Sequence, residues 1–174
     1  MKKTLLYWQL IGFTAVSVLG TLLHFLYHWT QSPIIALFSS VNESTWEHTK
    51  LLFIPMLIFA LAQWLWMGKK HPGFWCVKCK GVLLGLLLIP VLFYTLSGIF
   101  GTLPAWINIG IFYVSAAFGF IYETYLFSKE NTPCLEKLSV LLLCLLGILF
   151  FVFTFYPPHI PLFLDPVTKT YGLQ

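Results

Sequence analysis

The sequence contains no arginine, and only 9% of its 174 residues are charged. Soluble domains carry roughly 25% charged residues, so this composition excludes a water-soluble globule and a disordered chain. Guanidinium groups, which clamp phosphates through two hydrogen bonds, are missing, and no nucleic-acid partner is expected. Apolar residues are abundant instead: 59% of the chain is hydrophobic, and the mean hydropathy is +0.85. We therefore expect the chain in a lipid bilayer, with membrane lipids as its surroundings.

Long apolar runs predict an all-α fold, a polytopic membrane helix bundle that forms a single domain over residues 1–174. One crossing takes about 20 residues, which leaves no room for a separate soluble domain. The first run resembles a signal peptide at its start, but it is too long for one and no small-residue cleavage site follows it. The five predicted transmembrane helices cover about 5–29, 46–67, 81–100, 105–127 and 138–156, and a tail follows over 157–174.

The placement of the lysines predicts the orientation of the bundle, because cytoplasmic loops of membrane proteins are rich in lysine and arginine. Only Lys50 and Lys169 fall at one end of the predicted spans. The other end collects Lys2, Lys3, Lys69, Lys70, Lys78, Lys80, Lys129 and Lys137. The N-terminus is therefore expected in the cytoplasm. Since five is an odd number of crossings, the C-terminal tail is expected on the extracytoplasmic side.

Cys76 and Cys79 form a CxxC pair in the predicted cytoplasmic loop 68–80, and Cys134 lies in the next loop on that side. Disulfides are rare in reducing compartments, so none is expected here. One CxxC pair is half of a zinc site, which His71 or Cys134 could complete. The alternative is that these are plain thiols in a basic interfacial loop.

A polar stripe runs along the first predicted span. Its members recur every three or four residues and are Thr14, Ser17, Thr21, His24, His28 and Gln31. That spacing places them on one face of a helix. Lipid would leave their polar groups unpaired, so the stripe faces other helices or a wet cavity. His24 and His28 could bind one metal ion together, or the stripe could be a helix–helix seam held by hydrogen bonds.

A second polar cluster, residues 42–50, leads into the second span. Asn42 is expected to cap the helix, with Glu43 in its first turn. Glu43 and Glu47 are spaced four residues apart, as are Ser44 and His48. The simplest alternative for the acidic residues is an exposed ion pair with Lys50, which would contribute little stability.

His24 and His48 are expected at similar depth on neighbouring helices, about five residues below the outer surface. Together with His28 and a glutamate, they predict a zinc site that keeps one position open for water. Glu43 or Glu47 would then be free to act as general base. Ser44 is a further catalytic candidate, because it lies one helical turn before His48 on the same face of the predicted helix.

The tail is apolar and rich in proline, which prevents the last helix from continuing. An apolar segment beyond the last span should fold back onto the mouth of the bundle. His159 and Asp165 would then lie over the cluster as extra metal ligands or as part of a lid. The alternative is a simple interfacial tail.

Glu123 is the one other acidic residue predicted inside a span, near its cytoplasmic end. Intramembrane acids are costly and are usually paired or functional. We expect it to pair with Lys129 or a loop lysine, or to accept a hydrogen bond from a tyrosine. A proton-relay role is the alternative.

Two resemblances follow from these motifs. Residues 24–27, the pattern Asn-Glu-Ser-x-Trp-Glu-His-x-Lys over 42–50 and the tail motif over 161–172 resemble a family of small bacterial multipass membrane proteins without an assigned activity. This resemblance implies a bacterial plasma membrane protein. Ser44-x3-His48 and His24-x3-His28 also resemble the zinc-site motifs of alkaline ceramidase and adiponectin receptor hydrolases, although the motif order differs and those proteins have seven spans. This second likeness is one of chemistry and not of fold.

Three functions remain open at this level. The first is a metal-dependent membrane hydrolase or transferase that acts on a lipid or lipid-linked substrate at the outer leaflet. The second is a small transporter or ion-binding carrier whose pathway is lined by the polar stripe. The third is a structural or regulatory membrane protein in which the polar cluster only holds helices together.

Overall fold

The computed structural model describes residues 2–68, 71–129 and 134–173, which form six α-helices and one short 3₁₀ helix. The helices are α1 (Lys2–Thr30), α2 (Pro33–Ala36), α3 (Thr45–Trp66), α4 (Phe74–Phe100), α5 (Ala105–Phe127), α6 (Glu136–Phe155) and the 3₁₀ helix Pro161–Phe163. All but α2 and the 3₁₀ helix are long and apolar enough to cross a membrane. The prediction of an all-helical chain with five such helices is therefore confirmed. Lys69, Lys70 and Gln174, which entered the predictions above, lie outside the described residues.

The long helices run alternately up and down, with α3 at the centre of the bundle. Of the five, α3 buries the largest share of its residues, and it contacts α1, α4, α5 and α6. The most extensive pairing is between α4 and α5. Small residues allow this close approach: a methyl group added at Gly119 would lie 3.1 Å from the backbone oxygen of Gly81. Such contacts between small residues are typical of helices that pack inside membranes.

The two ends of the bundle are built differently. At the tail end, α1, α4 and α6 finish, α3 and α5 begin, and residues 157–173 fold back onto the bundle. At the disulfide end, Cys76 near the start of α4 is bonded to Cys134 just before α6. The expectation that no disulfide forms is thus wrong for this pair. The bond also occupies two of the thiols that a zinc site at the CxxC motif would require.

Helix α4 begins earlier than the predicted span, which starts at residue 81. Gly73 has a φ of +78°, a conformation that glycine adopts without steric cost, and the chain turns there into the helix. Lys78 and both cysteines of the CxxC motif therefore lie in the first turns of α4 and are buried. The sequence predicted these three residues in a loop because they are polar or charged. Their partners in the bundle, which allow them to be buried, cannot be seen in the sequence pattern.

Lys78 and Glu123 form a buried ion pair at the disulfide end, with Nζ and Oε2 2.6 Å apart. Gln9 donates from Nε2 to the same carboxylate oxygen at 3.2 Å. The expected pairing of Glu123 with a lysine is confirmed, although this lysine is in a helix and not in a loop. Lys129 instead lies over the Tyr125 ring, 4.4 Å from its centroid.

Candidate metal centre

Three side chains from three segments meet at the tail end. His24 comes from the last turns of α1, Glu43 from the loop between α2 and α3, and His48 from the first turn of α3. The loop is tied to α1 by Ser39, whose hydroxyl accepts a hydrogen bond from the Tyr27 backbone N–H at 2.9 Å and donates to the Leu23 carbonyl. The antiparallel pairing of α1 and α3 then brings the two histidines to the same level.

The cap of α3 differs from the prediction. Ser44 is the N-cap residue, and its hydroxyl accepts a hydrogen bond from the Glu47 backbone N–H at 3.3 Å. Asn42, the predicted cap, instead accepts from the Ser44 backbone N–H at 2.9 Å. Because the helix begins two residues later than expected, Glu43 lies in the loop and its side chain is free to turn towards the histidines.

The distances within this cluster are close to those of a metal site. Nε2 of His24 lies 3.6 Å from Oε1 of Glu43, and Nε2 of His48 lies 3.6 Å from Oε2 of the same residue. One ligand atom from each of the three residues can be chosen so that all lie within 4.8 Å of one another. These separations exceed ordinary hydrogen bonds. Ligand atoms around a tetrahedral zinc with bonds of about 2.0–2.1 Å are roughly 3.3 Å apart, so the three side chains would have to move closer together to bind one ion.

Hydrogen bonds on the Nδ1 side of both histidine rings leave their Nε2 atoms facing Glu43. Nδ1 of His48 lies 2.9 Å from the Ser44 carbonyl oxygen, which can only accept, so Nδ1 carries the proton. Ser40 donates to the His24 backbone carbonyl at 3.1 Å and lies 3.4 Å from Nδ1 of His24, so it is placed to accept there. In the neutral rings both Nε2 atoms then carry a lone pair directed at Glu43. Histidine ligands are commonly held in this way, through a hydrogen bond from the other ring nitrogen.

The cluster lines a cavity of about 270 Å³ between α1, α3 and α5. Phe25 on α1 and Ile109 on α5 also line it and are 45% and 56% exposed, so the cavity reaches the lateral surface of the bundle. Its walls are mainly apolar, with a hydroxyl pair between Thr21 and Tyr113 at 3.0 Å. The side-chain oxygen of Asn108 is buried beside it and has no hydrogen-bond partner among the described residues.

His28 and His159 are not part of this cluster. His28 lies one turn beyond His24, is exposed, and is absent from the group of neighbouring ligand atoms found among the described residues. The ring of His159 stacks on Tyr171, with the centroids 4.5 Å apart. The expectation that the spacing of four residues brings His24 and His28 onto one ion is therefore not matched by the geometry.

Glu47 belongs to a different cluster, a buried ion pair with Lys50. The two charged atoms are 2.6 Å apart, and Lys50 is 0% exposed. Lys50 also donates to the Ala36 carbonyl at 2.9 Å and to the Thr154 hydroxyl at 2.8 Å, while Glu47 accepts from the Val41 backbone N–H at 3.0 Å. The expectation of an exposed ion pair is wrong. The pair ties α2, α3 and α6 together, and Glu47 is not free to act as a base.

Asp165 lies next to the Glu43 backbone and accepts hydrogen bonds mainly from backbone N–H groups. Its Oδ1 accepts from the N–H groups of Val167 and Thr168 at 2.7 and 3.2 Å, and its Oδ2 accepts from the Glu43 N–H at 3.3 Å. Burial by itself raises the pKa of this carboxyl, but the three N–H donors hold the pKa below its ordinary value. With both oxygens used in this way, Asp165 supports the loop of Glu43 and does not join the metal cluster.

Three residues of the site escaped the sequence reasoning. Ser40, which orients His24, lies in a loop that gave no periodic signal. Asn108 and Tyr113 lie in the first half of α5, inside an apolar run. A polar side chain inside an apolar run was the available signal, but nothing in the pattern indicated that α5 lies next to His24.

Comparison with known proteins gives a family but no characterised relative. No curated protein and no solved structure matches the chain. A match to a family of unknown function extends over residues 1–173, which is nearly the whole sequence. The chain therefore belongs to the family of unknown function DUF6512.

Proposed function

We propose that this protein is a metal-dependent integral membrane enzyme, a zinc-type hydrolase or transferase that acts on a lipid or lipid-linked substrate. The observation that carries the proposal is the convergence of both Nε2 atoms, from His24 and His48, on the Glu43 carboxylate inside a cavity. A structural seam needs no such cavity beside the three side chains.

The donor set fits catalytic zinc better than structural zinc. Structural sites have four protein ligands, whereas catalytic sites have about three and leave a position for water or substrate. A zinc ion bound here would lower the pKa of a water molecule towards neutrality and polarise a carbonyl or phosphoryl oxygen. His24 and His48, each through Nε2, and one carboxylate oxygen of Glu43 would hold the ion.

Glu43 would bind the ion through one carboxylate oxygen, and its other oxygen would move the proton in the reaction. In hydrolysis, water adds to the acyl or phosphoryl centre, the bond to the leaving oxygen or nitrogen breaks, and the proton released by the water passes to the leaving group. A carboxylate within reach of both histidines can carry that proton. In a transferase reaction, an acceptor hydroxyl takes the place of the water. Glu47 is unsuited to this step, since Lys50 holds its carboxylate.

The cavity favours a substrate with an apolar chain. Its mouth lies between Phe25 and Ile109, so an acyl or prenyl chain could enter sideways from the bilayer. The Thr21–Tyr113 hydroxyl pair and the unpartnered oxygen of Asn108 would meet the polar part of the molecule next to the histidines. Sites of this kind combine an apolar wall with a few polar groups that set orientation.

The proposed orientation has the N-terminus in the cytoplasm and the metal site at the outer leaflet of a bacterial plasma membrane. Lys50 and Lys78 are buried in ion pairs and do not count as loop charges. Of the ten lysines, eight then remain: by their positions in the sequence, seven are expected at the disulfide end and one, Lys169, at the tail end. This bias supports a cytoplasmic disulfide end.

Metal analysis of the purified full-length chain tests the proposal. After exposure to zinc and removal of loose metal, we expect one zinc per chain in the wild type and a loss of most of it in His24→Ala and in His48→Ala. His28→Ala is the matched control, because it removes an exposed imidazole one turn away and should keep the metal. A wild type that binds no zinc, or variants that fold and bind it equally well, would reduce the cluster to a helix–helix contact.

A further inference from the structure

Two hydrogen bonds, each between a side chain and a backbone group, attach the loop of Glu43 to the C-terminal tail, residues 157–173. Asp165 accepts the Glu43 backbone N–H at 3.3 Å, and Asn42 donates from its side chain to the Gly172 carbonyl at 3.0 Å. Glu43 belongs to no helix, so its position depends on this loop. The tail therefore holds the proposed ligand from about 120 residues further along the chain.

The tail is itself docked firmly enough to serve as a support. Phe163 is buried against Trp46 and Phe153, with ring centroids 4.8 and 5.3 Å away. Asp165 closes a turn with Val167 and Thr168 and receives a further backbone hydrogen bond from Lys169, which donates to its carbonyl at 3.0 Å. An antiparallel bridge between Leu164 and Tyr171 joins the two arms of this turn.

We infer that the docked tail sets the metal affinity of the site, with Asp165 as a positioning residue for Glu43. The inference rests on the proposed metal site. A glutamate on an anchored loop binds an ion without first losing the freedom of the loop, whereas a detached loop must be ordered by the ion itself. Coupling of this kind is reciprocal, so bound metal must stabilise the docked tail by the same factor.

The forward test measures zinc affinity in the full-length chain by competition with a chelator. Asp165→Asn keeps an oxygen for the turn but loses the carboxylate that accepts the Glu43 N–H. We expect zinc affinity to fall on the order of tenfold or more, as for other residues that orient ligands. Val167→Ala is the matched control, because its side chain is exposed in the same turn and its affinity should equal that of the wild type.

The reverse test measures tail docking through trypsin cleavage after Lys169, the only lysine of the tail in a chain without arginine. We expect zinc to slow this cleavage in the wild type, to slow it less in Asp165→Asn, and to have no effect in His48→Ala. A merely structural tail would show no zinc dependence.

The outcomes separate this inference from the proposed function. If the wild type binds zinc, but Asp165→Asn binds it equally tightly and zinc leaves the cleavage rate unchanged, only the role of the tail is overturned. If the wild type binds no zinc, the metal site fails and the coupling fails with it.

Discussion

Lys78 and Glu123, which lie 45 residues apart in the sequence, form a buried ion pair in which Nζ is 2.6 Å from Oε2. Phenyl rings surround the ammonium group, with their centroids 5.4 to 5.9 Å from Nζ. These rings belong to Phe59, Phe74, Phe120 and Phe127. The pair joins α4 to α5, and the hydrogen bond from Gln9 adds α1. It links helices at the disulfide end as the Glu47–Lys50 pair does at the tail end.

Removing one partner of this pair should lower the free energy of unfolding much more than removing both partners. Lys78→Met leaves an uncompensated carboxylate in an apolar site, and we expect the free energy of unfolding to fall by about 3–5 kcal/mol. The double variant Lys78→Met/Glu123→Gln buries no charge and should recover a large part of that loss. Unfolding of both variants in the same detergent measures the difference. Lys129→Met is the control, since an exposed lysine at the same end should change stability by only about 0.5 kcal/mol or less. A double variant no more stable than Lys78→Met would contradict this account.

Alanine substitutions at Gly81 and Gly98 in α4 should change the melting temperature in opposite directions. A methyl group at Gly81 would overlap the Glu123 side chain, whereas one at Gly98 meets nothing within 4 Å among the described residues. Gly81→Ala should therefore lower the melting temperature by displacing the ion pair. Gly98→Ala should raise it slightly, because alanine favours a helix over glycine by about 1 kcal/mol. Equal shifts for the two variants would show that α4 and α5 do not pack as closely as described.

The contribution of Asp165 to stability should depend on pH in a defined direction. Its pKa is below the ordinary value in the folded chain, so its carboxylate stabilises the fold above the unfolded-state pKa of about 3.9. This contribution disappears as the pH falls through the lowered folded pKa. Asp165→Asn should therefore be less stable than the wild type at neutral pH, with a difference that shrinks in acid below about pH 4. Thermal unfolding at several pH values measures it, and a difference that grows in acid would contradict the assigned hydrogen bonds.

A thiol placed in the tail tests the orientation. Thr168 is exposed, and Thr168→Cys should react with a membrane-impermeant maleimide added to intact cells. On intact cells the parent chain should stay unlabelled, since Cys79 is buried, Cys144 lies within the span α6, and Cys76 and Cys134 lie at the end expected in the cytoplasm. Labelling that requires opened cells would place the tail in the cytoplasm and reverse the proposed orientation.

The disulfide provides a second, independent check on the same orientation. Disulfides are rare in the cytosol, so a cytoplasmic disulfide end predicts that the Cys76–Cys134 bond, which is closed in the structure, is reduced to two thiols in growing cells. We expect rapid acid quenching and alkylation to modify both residues, and a mild oxidant to close the bond and protect them. If the bond is found closed in untreated cells, the disulfide end faces an oxidising compartment, and the tail thiol should then be labelled only from inside.

Local sequence patterns predicted the features that are set by residues close together in the chain, such as the positions of the long helices. Runs of apolar residues identified the five long helices, because each helix needs about 20 residues to span a bilayer and hydropathy is summed over such a window. Counting residues from the two helix ends also predicted that His24 and His48 lie at the same depth, and the structure brings them together. Metal binding at that place stays a prediction.

Which polar side chains contact one another depends on how the helices pack. The sequence pattern of a single helix does not predict this. Spacing treats His28 as equivalent to His24 and Glu47 as equivalent to Glu43, since each pair shares a helical face in projection. Packing separates them: Glu47 meets Lys50 and Thr154 in the bundle interior, whereas a later helix start releases Glu43 towards the histidines. The start of α4 was misplaced for the same reason, because Lys78 is buried by a partner in α5.

The amino-acid pattern was thus enough to specify an apolar helical bundle with polar groups concentrated near one end, since composition and periodicity are properties of short segments. Which of those polar groups share a cavity, which form buried ion pairs and which cysteines are bonded was decided by the packing of α1, α3, α4, α5 and α6. The physical reason is that a buried charge or lone pair is stable only beside its partner, and helix packing brings these partners together from up to 114 residues away.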